Sequence, residues 1–122
     1  MQAGRGLPGR GLRMTYVRRL AISKEHPALP GHFPGHPVVP GVLVLDEVIE
    51  TLKEQHSRKA VVITGLPSVK LSSPLFPEEQ LTISLEQDDL ETVAFTCRVG
   101  SRLVASGSIR VQLGDENRIG RP

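Results

Sequence analysis

Residues 27–55 read Pro27-Ala28-Leu29-Pro30-Gly31-His32-Phe33-Pro34-Gly35-His36-Pro37-Val38-Val39-Pro40-Gly41-Val42-Leu43-Val44-Leu45-Asp46-Glu47-Val48-Ile49-Glu50-Thr51-Leu52-Lys53-Glu54-Gln55. The segment changes character at Pro40. Before it, Pro27, Pro30, Pro34, Pro37 and Pro40 each fix their own φ and push the preceding residue toward extended geometry, so neither a helix nor a central strand survives there. That stretch is a stiff, shaped loop. After Pro40, Val42, Leu45, Ile49 and Leu52 recur at spacings of three, four and three, an apolar stripe that predicts a helix from about Gly41 to Gln55. Glu47, Glu50 and Glu54 are expected on the opposite face, and Ser57-Arg58-Lys59 ends the helix.

On either side of this segment the pattern is that of strands. Tyr16–Ser23 mixes β-branched and long residues and reads as a first strand. Beyond the helix, Ala60–Thr64 and Val69–Leu71 are short extended pieces separated by Gly65-Leu66-Pro67. Leu81, Ile83 and Leu85 alternate with polar residues, Asp88-Asp89 marks a turn, and Val93–Val99 is the next strand. Gly100-Ser101 sits where a two-residue hairpin loop belongs. Leu103, Ala105, Gly107, Ile109 and Val111 complete the alternation. No later segment repeats the helical periodicity. One helix after a first strand, followed by three or four antiparallel strands, predicts an α+β arrangement with the helix covering one sheet face. So small a sheet leaves an edge strand and apolar surface that a second copy would cover. Periodicity alone leaves other helix-on-sheet folds open.

At 122 residues the chain has the length of one domain. We place a flexible leader at 1–13, the folded domain at 14–113 and a polar tail at 114–122. The net charge is +2, but it is unevenly distributed. Residues 1–19 carry Arg5, Arg10, Arg13, Arg18 and Arg19 and no acid, leaving ten basic against thirteen acidic residues in the remainder. The basicity therefore lies mainly in the leader, which lacks the stacking aromatics of a nucleic-acid binder, so no nucleic-acid partner is expected. No apolar run reaches membrane-spanning length, and the leader has no secretory h-region. A cytoplasmic protein is the expectation. Cys97, the one cysteine, falls on the apolar face of Val93–Val99 and reads as a small core residue.

The segment Gly31–Glu47 resembles the signature of the 3-hydroxyacyl-ACP dehydratases of fatty-acid synthesis, the FabZ/FabA type: His-Phe-Pro-Gly, a variable residue, Pro-Val-x-Pro-Gly-Val-Leu, then a carboxylate on the helix. The match has no gap, and His32 and Asp46 keep the family's separation. A weaker likeness extends over Lys70–Leu81, without the family's usual glycine-acid pair. Glu50 stands where the family commonly has Gln, and Val39 where it often has Met or Phe. The short length and the Asp46-Glu47 pair look most like the small ApeI-like members that accompany polyketide-type or aryl-polyene synthesis. The resemblance covers about residues 15–112. It implies a hot-dog fold, with one long helix wrapped by an antiparallel sheet. It also implies a homodimer, with assembly beyond the dimer left open.

The implied chemistry suits these residues. Dehydration of a 3-hydroxyacyl thioester needs a base for a C2 proton, an acid for the departing C3 hydroxyl and a donor for the thioester oxygen. A neutral histidine near its free pKa is a suitable base, and the resemblance gives that role to His32. It implies a strained peptide, non-prolyl cis, around His32-Phe33. Asp46 is the implied acid. Next to the apolar stripe it should be partly buried, which favours the protonated form. The Gly41 N–H, at the helix start after Pro40, is the implied oxyanion donor, with Phe33, Pro40 and Val42 beside the substrate. No cofactor is required. His26, His32 and His36 do not have the spacing of a zinc site, so no metal is expected. The partners implied are acyl carrier protein and its acyl thioester, with Lys70, Arg98, Arg102 and Arg110 as candidate docking charges. Two rival readings remain: a hot-dog acyl thioesterase, in which a carboxylate activates water, and a catalytically inactive subunit that binds acyl carrier protein.

Overall fold

The computed structural model describes residues 14–27, 29, 38–56, 61–87 and 89–113. The expected leader, the polar tail, loop residues 30–37, Ser57-Arg58-Lys59 and Asp88 lie outside them. Six elements follow in order: β1 (Met14–Leu20), α1 (Gly41–Gln55), β2 (Val61–Leu71), β3 (Leu81–Gln87), β4 (Thr92–Val99) and β5 (Arg102–Leu113). The strands form one antiparallel sheet in the order β1-β3-β4-β5-β2. One face of it meets α1, which contacts β1 and β3.

Period-two alternation builds the core. Leu81, Ile83 and Leu85 of β3, Val93, Phe95 and Cys97 of β4, and Ala105, Ile109 and Val111 of β5 are all buried. Register places Leu85, Phe95 and Gly107 in one row across the sheet and Ile83, Cys97 and Ala105 in the next. Each fully buried Leu, Ile or Phe contributes roughly 1.5–3 kcal/mol. Between β4 and β5, Gly100 takes φ 59°, a conformation that costs glycine nothing, and the two-residue hairpin forms as expected.

Three expectations need correction. The first strand ends at Leu20 rather than Ser23, because its ladder stops where Leu20 pairs with Leu81, the first residue of β3. The pieces around Gly65-Leu66-Pro67 form one strand, β2, which absorbs the interruption with register shifts at Ile63/Gly65 and Gly65/Ser68. Pro67 is tolerated there because β2 lies at the sheet edge. The helix keeps its expected limits but presents a different face. Val44, Val48, Thr51 and Leu52 are buried, whereas Val42 is 64% exposed.

Gly107 is the tightest point of the sheet. A Cβ there would fall on the Ser68 carbonyl oxygen and 2.9 Å from Phe95 Cζ. Neither obstacle can move cheaply, since one is backbone and the other a buried ring. Gly107→Ala should therefore lose about 1–3 kcal/mol of stability. A chemical-denaturation midpoint equal to the wild-type value would show that the sheet has slack at this point.

Candidate active site

Among the described residues, no side-chain cap and no first-turn acid compensates the start of α1, whose N-cap is Pro40. The Pro40 carbonyl accepts the Leu43 N–H at 2.9 Å and the Val44 N–H at 3.4 Å. The N–H groups of Gly41 and Val42 precede these and have no partner within the helix. The positive end of the helix dipole is therefore available to a carbonyl or an anion.

A pocket of about 370 Å³ opens at this point, with walls that include Val39, Gly41, Val44, Leu71, Leu75 and Val104 and polar contributions from Ser72 and Ser73. Apolar walls with a few polar groups suit an acyl thioester. Two local features shape it. Between Cys97/Arg98 of β4 and its partners Ala105/Leu103, Val104 is one extra residue. The bulge turns Val104 inward to 2% exposure, as bulges re-aim side chains. Gly41 lets Leu71 lie against the helix start, since a Cβ there would stand 2.7 Å from Leu71 Cδ1.

The expected site residues divide. Gly41 lines the pocket and Pro40 stands directly before it. Val42 faces away, and Asp46 is exposed on its own chain. The partial burial expected for Asp46 is therefore not supplied within the protomer, because the helix packs through Val44, Val48 and Leu52 instead. His32 and Phe33 lie outside the described residues. Lys70, Arg98 and Arg110 are exposed. Arg102 is not a free docking charge: its Nη2 donates to Glu79 Oε1 at 2.6 Å and to the Pro74 carbonyl at 3.2 Å. Ser72, Ser73 and Val104 were not among the expected site residues. The only signal for the serines was their place in the weakly similar Lys70–Leu81 segment, and nothing in the strand alternation marked Val104.

Helix rotation is fixed from β1. Arg18 Nη1 stands 3.1 Å from Glu47 Oε1 and donates to Thr51 Oγ1 at 3.2 Å. The Tyr16 hydroxyl donates to Glu54 Oε1 at 3.1 Å. Arg18 lies in β1, within the first strand expected at Tyr16–Ser23.

The family described as ApeI-like, ApeI dehydratase, matches residues 12–108. The chain belongs to the ApeI-like dehydratase family. The 3-hydroxyacyl-[acyl-carrier-protein] dehydratase FabZ of Streptococcus agalactiae serotype V is 30% identical, with 77% of this chain and 74% of that protein covered. FabZ of Streptococcus uberis is also 30% identical, with coverage of 88% and 92%. Among solved structures, the dehydratase heterocomplex ApeI:P from Xenorhabdus doucetiae superposes with a TM-score of 0.70 at 20% identity, covering 82% of this chain and 93% of that one. A variant of the fluoroacetyl-CoA-specific thioesterase FlK reaches the same TM-score at 10% identity, covering 87% and 89%. The fold of this ApeI-like dehydratase is thus the hot-dog fold.

Among the described residues of the ApeI-like domain, no group of three or more His, Cys, Asp or Glu is placed to hold a metal ion, and no helix is long and apolar enough to cross a membrane. Cys97 is fully buried, and burial pushes its thiol up to about 12. A thiol so protonated and so enclosed is a poor nucleophile. Cys97 should therefore stay unmodified by a soluble thiol reagent at neutral pH in the folded protein and react at once in denaturant. Rapid labelling of the native chain would return the thiol to the list of possible nucleophiles.

Proposed function

We propose that this chain removes water from a (3R)-3-hydroxyacyl thioester on acyl carrier protein and releases the trans-2-enoyl thioester. The observation that carries this reading is the apolar pocket at the uncapped start of α1, in a chain about 30% identical to named 3-hydroxyacyl-ACP dehydratases. The thioester carbonyl accepts from the Gly41 N–H, beside Pro40, and Phe33 borders the substrate. His32 takes a proton from C2, the C2–C3 double bond forms, and the C3–O bond breaks. Asp46 donates the proton that lets the hydroxyl leave as water. One preorganised oxyanion donor is worth roughly 3 kcal/mol of barrier. The thioester already acidifies C2, so the scheme needs no cofactor.

The assembly proposed is a homodimer. Among the described residues β2 is an edge strand whose outer side carries no strand partner, and Val62, Leu66, Val69 and Leu71 on it are exposed, as is Val42 on the helix. A second chain covering Val42 would also approach Asp46, which is exposed one turn further along the helix. The solved neighbour is described as a heterocomplex, so a second chain of different sequence is the alternative outcome. The thioesterase reading draws on the FlK likeness, and the inactive-subunit reading on the fold alone.

One assay separates the three. With purified protein, 3-hydroxyacyl and saturated acyl thioesters should yield enoyl product and no free thiol; thiol release means a thioesterase, and neither product means an inactive subunit. His32→Ala and Asp46→Ala should each abolish dehydration. Refolding equal amounts together should restore roughly a quarter of wild-type activity, because about half the dimers are mixed and each holds one intact shared site. Verified mixed dimers that stay dead would rule out a site shared between chains.

Docking of the acidic carrier is assigned to Lys70 and Arg98. Lys70 directly precedes Leu71 of the pocket wall, and Arg98 pairs with Leu103, beside Val104. Arg110 pairs with Gly65 and Thr92, further along the sheet. Reversing Lys70 and Arg98 to Glu should raise KM for carrier-bound substrate about tenfold and spare a small thioester mimic. Equal effects on the two substrates would remove docking as the cause.

A further inference from the structure

We infer that Arg102 and Glu79 are positioning residues for the dehydration: they brace the turn between β2 and β3, and that turn holds Val39 and hence the Gly41 N–H at the start of α1. The inference rests on the reading proposed above for Gly41.

Its basis is a continuous set of contacts. Arg102, the first residue of β5, donates from Nη2 to the Pro74 carbonyl at 3.2 Å and to Glu79 Oε1 at 2.6 Å. The same Glu79 oxygen accepts the Phe76 N–H at 2.9 Å, and the guanidinium carbon stands 6.0 Å from the Phe76 ring centroid. One side chain therefore touches the beginning, middle and end of Pro74–Glu79. The start of the turn is tied to β5 independently. The Val104 carbonyl accepts the N–H groups of Ser72 and Ser73 at 2.8 and 3.3 Å, and Ser73 Oγ donates to the Leu103 carbonyl at 2.7 Å. Near its far end, Glu78 adopts φ 72°, an uncommon conformation for a side-chain-bearing residue. It is held there because its N–H donates to the Ile22 carbonyl and its Oε2 accepts the Lys24 N–H, each at 2.8 Å.

The braced turn lines the pocket through Pro74 and Leu75, and among the described residues it is hydrogen-bonded to the approach to α1 at Val39. The Leu75 carbonyl accepts the Val39 N–H at 2.9 Å in an isolated bridge, and both residues are buried. Val39 leads directly to Pro40 and Gly41. Proline fixes its own φ and restricts the residue before it, so a shift of Val39 passes to Gly41 with little slack. The pair is also poorly placed to serve stability alone. Its side chains are 40% and 27% exposed, and exposed ion pairs add little to folding. The planar fork of arginine, by contrast, sets direction well. A donor displaced by about 1 Å can cost up to 100-fold in rate.

The test combines turnover with amide exchange on the full chain. Arg102→Gln and Glu79→Gln should each lower kcat roughly tenfold on carrier-bound and small thioesters alike, with KM for the small substrate nearly unchanged. The double variant should be no slower than the worse single one, and Arg102→Lys, which keeps the charge without the fork, should recover only part of the loss. In both single variants the Val39 amide should exchange at least about tenfold faster, while the Ile83 and Phe95 amides keep their protection. Unchanged kcat in folded variants overturns the inference, and so does a loss confined to carrier-bound substrate, which would make Arg102 a docking charge. Exchange that rises equally across the sheet overturns it as well, because the pair would then act on global stability. The exchange measurement needs no turnover. A wild-type chain that forms no enoyl product therefore refutes the proposed reaction, while Val39 protection still decides whether the brace exists.

Discussion

Arg18 carries a charge on the helix-facing side of an edge strand, and the orientation of α1 follows from how that charge is satisfied. A cation left without partners in such a place is costly. Its partners come from one side of the helix: the Glu47 carboxylate at 3.1 Å, Thr51 Oγ1 at 3.2 Å and the Glu47 carbonyl at 3.4 Å. Thr51 is itself fully buried and donates to the Glu47 carbonyl at 2.7 Å, so it can face β1 without an unmet hydroxyl. With Glu47, Thr51 and Glu54 turned toward β1, the helical repeat sends Val44, Val48 and Leu52 into the core and Val42 and Asp46 outward. The outward position of Asp46 is thus a consequence of the ion pair made by the residue after it.

The pocket lies where regular structure gives out. A packed helix on an alternating sheet leaves few voids larger than a water molecule. Here the end of the proline-rich loop, the turn after β2 and the Val104 bulge meet beside the helix start. Each departs from regular spacing by a residue or a turn, and together they leave room for a ligand while their backbone groups bond one another. Val39, Gly41 and Val44 supply part of the pocket wall and also flank the uncapped helix end. A change that shifts this segment therefore alters both binding and polarisation of a thioester.

Much of this was legible in the sequence. The helix limits could be read because Pro40 forbids an earlier start and the apolar stripe stops at Leu52. The hairpin at Gly100-Ser101 and the burial of Cys97 followed from simple alternation. The packed face of the helix did not, because its apolar residues occupy two sectors, Val42–Leu45–Ile49 and Val44–Val48–Leu52. Periodicity cannot choose between them, and the residue that does, Arg18, is 29 positions from Glu47. The Val104 bulge was equally hidden, since one inserted residue inverts the alternation that strand reading relies on. Arg102 was expected as a docking charge, and its anchoring was hidden for a related reason: its partner Glu79 lies 23 residues away, on a turn whose path only the fold defines. For the catalytic motif, likeness to known dehydratases made Gly41 and Asp46 candidates, and the structure puts them on different sides of one helix.

That separation bears on the choice between hydrolysis and elimination. The hot-dog frame serves both, as the equal superposition on a dehydratase and on a thioesterase indicates. A helix end and an apolar pocket polarise and hold any acyl thioester. Hydrolysis then needs one activated water at the carbonyl carbon, whereas elimination needs two proton-handling groups, at C2 and at C3. Asp46 lies about 160° around the helix from Val44 at 100° per residue, and it is not part of the pocket lined by Gly41 and Val44 of its own chain. A carboxylate so placed points away from a substrate held there. If Asp46 is the acid of the proposed reaction, its outward direction suits the pocket of a second chain better than that of its own. The dimer would then serve the chemistry as well as cover the β2 edge.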